Sequence, residues 1–155
     1  MPETKPQATL KVNSTRFGQI EVPADHVIEM PQGMIGFPHL HRYVLIRHRE
    51  DSPFFWLQSV EAPELAFVVI NPLLFEPRYK FTLSNAETNL LEVKRPEDVQ
   101  VWVVVTIPPG RPENMTANLK APVVINLANR RAAQIILDDP HYAVQHPLTR
   151  PQTQE

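Results

Sequence analysis

The sequence predicts an all-β, mainly antiparallel fold: a β-barrel-like single domain of about ten short strands with at most one short helix. Most stretches between prolines alternate polar with apolar residues or are rich in β-branched and aromatic residues, which favours strands. Seventeen prolines break helices and limit regular structure to short pieces. Residues 99–107 (VQVWVVVTI) are almost continuously apolar, so we expect a strand that is covered on both faces.

The predicted strands follow one another with turn residues between them. The first two form a hairpin around a turn at residues 14–17, and a punctuated loop at residues 31–38 follows the third. Strands are predicted over residues 9–13, 18–22, 27–30, 43–48, 55–59, 66–70, 79–83, 99–107, 121–126 and 132–137, and a strand over residues 142–145 would close the set. Short strands at a spacing of about 8–12 residues are typical of a sandwich or barrel.

One short helix is predicted after residue 84. Ser84 followed by Glu87 is the pattern of a capping box, in which each side chain bonds a backbone amide of the other. Leu90 and Leu91 would then give the helix an apolar face, and Pro96 would stop the chain from continuing it. A short turn would satisfy the same residues, so both interpretations stay open.

Length and charge place the chain among small globular proteins. We expect one domain over residues 9–148, disordered tails at residues 1–8 and 149–155, and a monomer. The formal net charge of −2 gives no reason to expect nucleic acid or an anionic membrane as a partner. Residues 1–8 lack the apolar stretch of a secretory signal, so we expect a cytoplasmic protein that is not in a membrane.

The residues offer little catalytic chemistry. The chain has no cysteine, and its four glycines form no phosphate-binding pattern. His39 and His41 would share one face of a strand, but no third ligand lies at a recognisable spacing, which favours solvated histidines over a metal site. Ser59 and Thr106 lie in predicted strands without a glycine-rich elbow. We therefore expect no enzyme activity and no cofactor.

Two polar stretches are interpreted as local backbone chemistry. Asp138-Asp139-Pro140-His141 resembles an acid–base cluster, but it follows a strand, and Asp side chains commonly bond nearby amides in turns. We predict a turn there. The Asn and Thr side chains of residues 114–118 are likewise expected to cap local backbone groups.

Charged and aromatic residues suggest binding surfaces. Eight acidic residues fall in predicted turns, and a negative rim would form if several of these turns shared one end of a barrel; the alternative is that turns are simply polar. They are Asp138 and Asp139 and six residues that are the binding candidates: Glu50, Asp51, Glu61, Glu64, Glu97 and Asp98. Phe54, Phe55 and Trp56 are consecutive, so strand alternation should turn at least one of them away from the core. Either Trp56 and Phe54 face the core and Phe55 is the better surface candidate, or Phe55 faces the core and the other two face outward.

Six stretches carry a family resemblance. They are TRFGQIEV (residues 15–22), PQG with GF (31–33 and 36–37), PFFWLQS (53–59), LAFVV (65–69), NMTANLKAPVVIN (114–126) and YxVxHPL (142–148). In this order and at this spacing they resemble the flagellar assembly factor FliW family. Two positions depart from its pattern: residues 38–41 stand where an acidic residue is common, and Met30 stands where phenylalanine is common.

The resemblance implies an antiparallel β-barrel-like fold and a regulatory role without catalysis. It implies that the chain binds the translational regulator CsrA, relieves its repression of flagellin messenger RNA, and binds flagellin, which competes for it. CsrA is a small basic dimer, so this resemblance makes the six acidic residues candidates for its docking surface. Phe54 and Phe55 are the candidates for flagellin, whose ends are helical and apolar.

A single-stranded RNA-binding β-barrel acting directly on transcripts is the alternative function. Arg42, Arg47, His48 and Arg49 form the densest basic group, and Tyr43 lies among them. Glu50 and Asp51 follow at once, however, so a mixed solvated edge is favoured over a binding stripe. A small-molecule enzyme ranks third.

Overall fold

The computed structural model describes residues 8–148, which form eleven strands and one α-helix. The strands are β1 (Thr9–Ser14), β2 (Gly18–Pro23), β3 (Ile28–Glu29), β4 (Arg42–Arg47), β5 (Phe55–Ser59), β6 (Ala66–Ile70), β7 (Val99–Thr106), β8 (Thr116–Ala117), β9 (Val123–Asn126), β10 (Arg131–Gln134) and β11 (His146–Pro147). The helix is α1 (Asn85–Leu91). Of the predicted tails, only Ala8 lies within the described residues. No helix in residues 8–148 is long and apolar enough to cross a membrane.

The main sheet closes on itself. Strands pair in the order β7, β6, β5, β4, β3, β10, β9, and β9 pairs back with β7. Within residues 8–148 one of these pairs, β3 with β10, is parallel, and the others are antiparallel. β8 continues from the far end of β7, and β11 pairs with β8. The predicted all-β, mainly antiparallel, barrel-like fold is confirmed.

Hairpin geometry gives the barrel two ends. β4, β5 and β6 form an antiparallel meander, so their connecting turns must lie at opposite ends of the barrel. We call these the β4–β5 end and the β5–β6 end. β7 runs antiparallel to β6 and therefore starts at the β4–β5 end. The β9–β10 turn lies there too, because the amide of Leu127 bonds the carbonyl of Asp98 at 2.8 Å.

The strand β7 faces two core clusters. Val103 and Val105 pack into one cluster with Leu91 of the helix, while Trp102 packs into the other. Successive side chains of a strand point to opposite faces, so an apolar residue at nearly every position serves both clusters. The prediction that this strand is covered on both faces is confirmed.

Side-chain hydrogen bonds cap both ends of the helix. The Ser84 hydroxyl accepts a hydrogen bond from the Glu87 amide at 3.1 Å, and the Glu87 carboxylate accepts one from the Ser84 amide at 2.8 Å. The predicted capping box is therefore confirmed. At the other end the β9–β10 hairpin caps the helix: Asn126, Asn129 and Arg131 donate to carbonyls of residues 90–92.

Three strand predictions are corrected. Residues 79–83 run without a turn or bend but pair with no other described strand, so they are not part of either sheet. The last strand comes later than residues 142–145, at β11. β8 was not predicted, since its polar sequence gives no alternation to detect.

Asn118 caps local backbone as predicted, accepting hydrogen bonds from the Lys120 and Ala121 amides.

Candidate protein-binding surfaces

An apolar cleft lies beside the helix. We call residues 79–83 the strap and this opening the α1 cleft; it has a volume of about 560 Å³. The strap forms one wall, and the segment from α1 to the first half of β7 forms the other. Its apolar lining includes Leu73, Phe81, Leu83, Val93, Val99 and Val101. Leu73 is 53% exposed and lines this cleft, so an exposed apolar side chain adjoins the apolar lining.

The charges around the α1 cleft have one sign. Lys80 and Lys94 line it, and no lining residue is acidic. Both lysines are exposed. An apolar floor with two ammonium groups suits an apolar segment that also carries carboxylates.

Tyr79 and Tyr142 hold the strap in place. Tyr79 is buried, and its hydroxyl donates to the Leu119 carbonyl at 2.6 Å. Burial, together with the neighbouring Tyr142 phenol, raises the pKa of Tyr79 far above its ordinary value. The Tyr142 hydroxyl accepts from the Lys80 amide and donates to the Lys80 carbonyl, each at 3.1 Å. The strap is thus fixed at its first two residues.

A second cleft opens on the other side of the strap. It measures about 720 Å³, and its mixed lining includes Lys80, Thr82, Asp138 and Asp139 as well as Leu137 and Pro140. The Asp139 carboxylate accepts from the amide and from the ring of His141, both at 2.9 Å. These two bonds, the amide bond first, lower the pKa of Asp139. The predicted turn chemistry of residues 138–141 is confirmed.

The acidic turns do not form one rim. Glu50 and Asp51 lie in the β4–β5 turn, and Glu97 and Asp98 precede β7 at the same end. Residues 61 and 64 lie in the β5–β6 turn, so they belong to the opposite end. Consecutive antiparallel hairpins cannot place their turns together. Two of the acidic segments, the β4–β5 turn and the residues before β7, therefore share one end, and the β5–β6 turn does not; binding through these residues stays a prediction.

Arginines neutralise part of the β4–β5 end. Asp51 pairs with Arg49 at 3.8 Å, and Glu97 pairs with Arg95 at 2.8 Å. Among residues 8–148, Glu50 and Asp98 have no ion-pair partner. These two carboxylates carry most of the uncompensated negative charge contributed by the four acidic residues here.

The Glu61 side chain binds the backbone at the start of β4. Its carboxylate accepts from the amides of His41 at 2.6 Å and Arg42 at 3.1 Å. Burial alone would raise its pKa, but these two amide bonds and the nearby Arg42 charge hold the pKa below the ordinary value. Glu64, in contrast, is exposed beside the β1–β2 turn and lines a small pocket with Arg16.

The three consecutive aromatics are all half-buried. Phe54 packs against one core cluster, and Phe55 lies 4.8 Å from Trp102 of the other, measured between ring centroids. Trp56 faces outward from the barrel but is covered, because the Arg16 guanidinium lies 4.2 Å from its ring centroid. None of the three presents a free ring. Binding through Phe54 or Phe55 stays a prediction that their packing makes less favourable.

The histidines and the serine that were considered for metal binding or catalysis form no such site among the described residues. The His41 ring lies 2.9 Å from the Pro38 carbonyl, and His39 is exposed nearby. No group of three or more metal-ligating side chains occurs within residues 8–148. The buried Ser59 hydroxyl accepts two amides of its own turn, those of Glu61 and Ala62.

Sequence reasoning did not find the α1 cleft. Its strap carries a strand pattern, and a pattern does not show whether a strand has a neighbour. The double hydrogen bond between Tyr142 and Lys80 gives no sequence signal, since the two residues lie 62 positions apart.

The comparisons with known proteins agree with the fold. A family model described as FliW protein matches residues 11–148. A flagellar assembly factor FliW of Magnetococcus marinus is 42% identical over 139 residues, which cover 90% of this chain and 85% of the relative. One of Ruminiclostridium cellulolyticum is 43% identical over 136 residues, covering 87% and 91%.

A solved structure gives the same result in three dimensions. The crystal structure of a flagellar assembly factor FliW superposes with a TM-score of 0.83 at 32% identity, covering 92% of this chain and 99% of the other. The fold and the cleft define an all-β barrel with an apolar surface groove. The chain belongs to the FliW family, whose named relatives are flagellar assembly factors.

Proposed function

We propose that this chain is a cytoplasmic, monomeric flagellar assembly factor that acts by binding proteins and not by catalysis. It binds the translational regulator CsrA and relieves its repression of flagellin messenger RNA. It also binds flagellin, so that free flagellin competes for it. The observation that carries the binding role is the α1 cleft, an apolar groove with an exposed leucine at its edge.

Flagellin is the partner that we assign to the α1 cleft. Its apolar ends need an apolar surface, and this cleft supplies one through Phe81, Leu83, Val99 and Val101. Phe54 and Phe55 are poorer candidates, since both rings already pack against the core clusters.

CsrA is the partner that we assign to the β4–β5 end. A basic protein is attracted by carboxylates that lack a cation of their own, which favours Glu50 and Asp98 over Asp51 and Glu97. Attraction of this kind raises the association rate and is screened by salt.

The flagellin assignment is tested by biolayer interferometry. Leu73→Asp places a charge at the cleft and should weaken flagellin binding about tenfold or more, because an apolar contact is replaced by a buried charge. Leu127→Asp is the matched control, since Leu127 is an exposed leucine in the β9–β10 turn. Equal affinities for the two variants would contradict the assignment.

The CsrA assignment needs a charge reversal. The double variant Glu50→Lys with Asp98→Lys should slow association with CsrA and weaken its salt dependence. Glu21→Lys with Glu113→Lys is the control, because these exposed carboxylates lie outside the β4–β5 turn and the segment before β7. Unchanged association rates in the first variant would contradict the assignment.

A gel shift with flagellin leader RNA tests the alternative function, an RNA-binding β-barrel, since direct RNA binding would retard the RNA without CsrA.

A further inference from the structure

We propose that the strap is an unpaired β-strand and that the α1 cleft receives an extended peptide segment, which pairs with the backbone of Phe81 and Leu83 and carries apolar and acidic side chains. This inference rests on the proposed function only in taking the cleft as a protein-binding site. It adds the binding mode, strand addition to an open edge, in which the bound segment is extended and not helical.

The strap has the side-chain pattern of a strand. Tyr79 is buried, and Phe81 and Leu83 pack against the same core cluster, whereas Lys80 and Thr82 are exposed. This is the period of two that a strand shows with one face on a core. The residues also run without a turn or bend.

The strap lacks the neighbour that a strand requires. Within residues 8–148, the backbone amides and carbonyls of Phe81, Thr82 and Leu83 have no hydrogen-bond partner. Backbone groups of this kind are a template for pairing with another chain. A cleft lies on each side of the strap, so space is available where a partner strand would lie.

The hydrogen bonds of Tyr142 show which backbone edge of the strap faces the α1 cleft and which faces the second cleft. In a strand, the amide and carbonyl of one residue point to the same edge, and the next residue points to the other. Tyr142 lines the second cleft and bonds both groups of Lys80, so Lys80 and Thr82 point to that side. Phe81 and Leu83 therefore point into the α1 cleft.

The charges select the occupant. Lys80 lines both clefts; the α1 cleft adds Lys94 and no acidic residue, whereas the second cleft adds Asp138 and Asp139. A segment with carboxylates is therefore attracted more strongly to the first cleft than to the second. Apolar side chains at alternate positions of the same segment would lie on the core-facing side, as Phe81 and Leu83 do, in a cleft whose apolar lining also includes Val93 and Val99.

NMR of the isotope-labelled protein tests the inference with a short synthetic peptide that alternates valine with glutamate. We expect saturable shifts of the Phe81 and Leu83 amide signals and slower exchange of these amides with solvent. The same peptide with alternate backbone amides N-methylated keeps its side chains but loses one hydrogen-bonding edge, and it should bind about tenfold more weakly. Lys94→Glu should weaken binding of the unmodified peptide, and Lys11→Glu, an exposed lysine on β1, should not.

Three results would overturn the inference: no saturable shift up to about 1 mM peptide, equal binding of peptides N-methylated on either set of alternate amides, or no protection of the two amides. Flagellin binding that Leu73→Asp weakens, together with any of these results, would leave the proposed function standing and remove only the strand mode. Peptide binding in this mode without any flagellin binding would support strand addition and contradict the proposed function.

Discussion

The hydroxyl of Ser14 donates a hydrogen bond of 2.8 Å to the side-chain oxygen of Gln58, although the two residues lie 44 positions apart. The Gln58 amide nitrogen donates to the carbonyls of Ser59, Pro63 and Leu65. One fully buried side chain therefore joins the β1–β2 ribbon to the β5–β6 turn. Every polar atom of Gln58 is satisfied, which explains why a polar residue is stable in this fully buried position.

Gln58→Leu is expected to lower the free energy of unfolding by about 3 kcal/mol, because it leaves the Ser14 hydroxyl and three carbonyls without this partner. Urea denaturation followed by circular dichroism measures the change. Gln19→Leu is the control: Gln19 is exposed and bonds only Asn13 among the described side chains, at 3.2 Å. A similar loss of unfolding free energy in both variants would show that the buried network stabilises the fold no more than an exposed hydrogen bond does.

Gly33→Ala is expected to be more destabilising than Gly36→Ala, although both glycines have positive φ. A Cβ at Gly33 would clash with the Phe37 carbonyl oxygen, whereas one at Gly36 would meet nothing within 4 Å. Left-handed backbone alone costs alanine about 1 kcal/mol, and the clash adds about 2 kcal/mol or more. Thermal denaturation of the two variants measures the difference, and equal melting temperatures would contradict it.

Local features could be predicted from the sequence, and long-range ones could not. The capping box of Ser84 and Glu87 lies within four residues, so its pattern was sufficient. The strap has a strand sequence, but pairing depends on which chain segment lies beside it, and residues 79–83 have none. The separation of Glu50 from Glu61 could have been inferred, because one strand lies between their turns.

The carboxylate of Glu61 should make stability depend on pH. Its folded-state pKa is lowered, so it stabilises the fold above its ordinary pKa of 4.5, and this contribution is lost as pH falls towards the lowered value. In Glu61→Gln the amide bonds from His41 and Arg42 can still form, but the charge is gone. We expect the variant to be less stable than the wild type at pH 7 and to lose less stability on acidification. Urea denaturation at several pH values measures this, and parallel pH curves would contradict it.

Asn126→Leu should loosen the helix that forms a wall of the α1 cleft. Asn126 is buried and donates to the carbonyls of Leu91 and Glu92, and both lose this donor in the variant. We expect the free energy of unfolding to fall by about 2 kcal/mol and hydrogen exchange of the α1 amides to quicken more than that of β5.

Because Val93 follows this helix and lines the cleft, flagellin affinity should fall in the same variant. Asn129→Ala is the milder control, since Asn129 is exposed and shares the Leu91 carbonyl with Asn126. If α1 and β5 exchange quickened equally, the Asn126 side chain would be stabilising the whole barrel rather than holding the helix against the cleft.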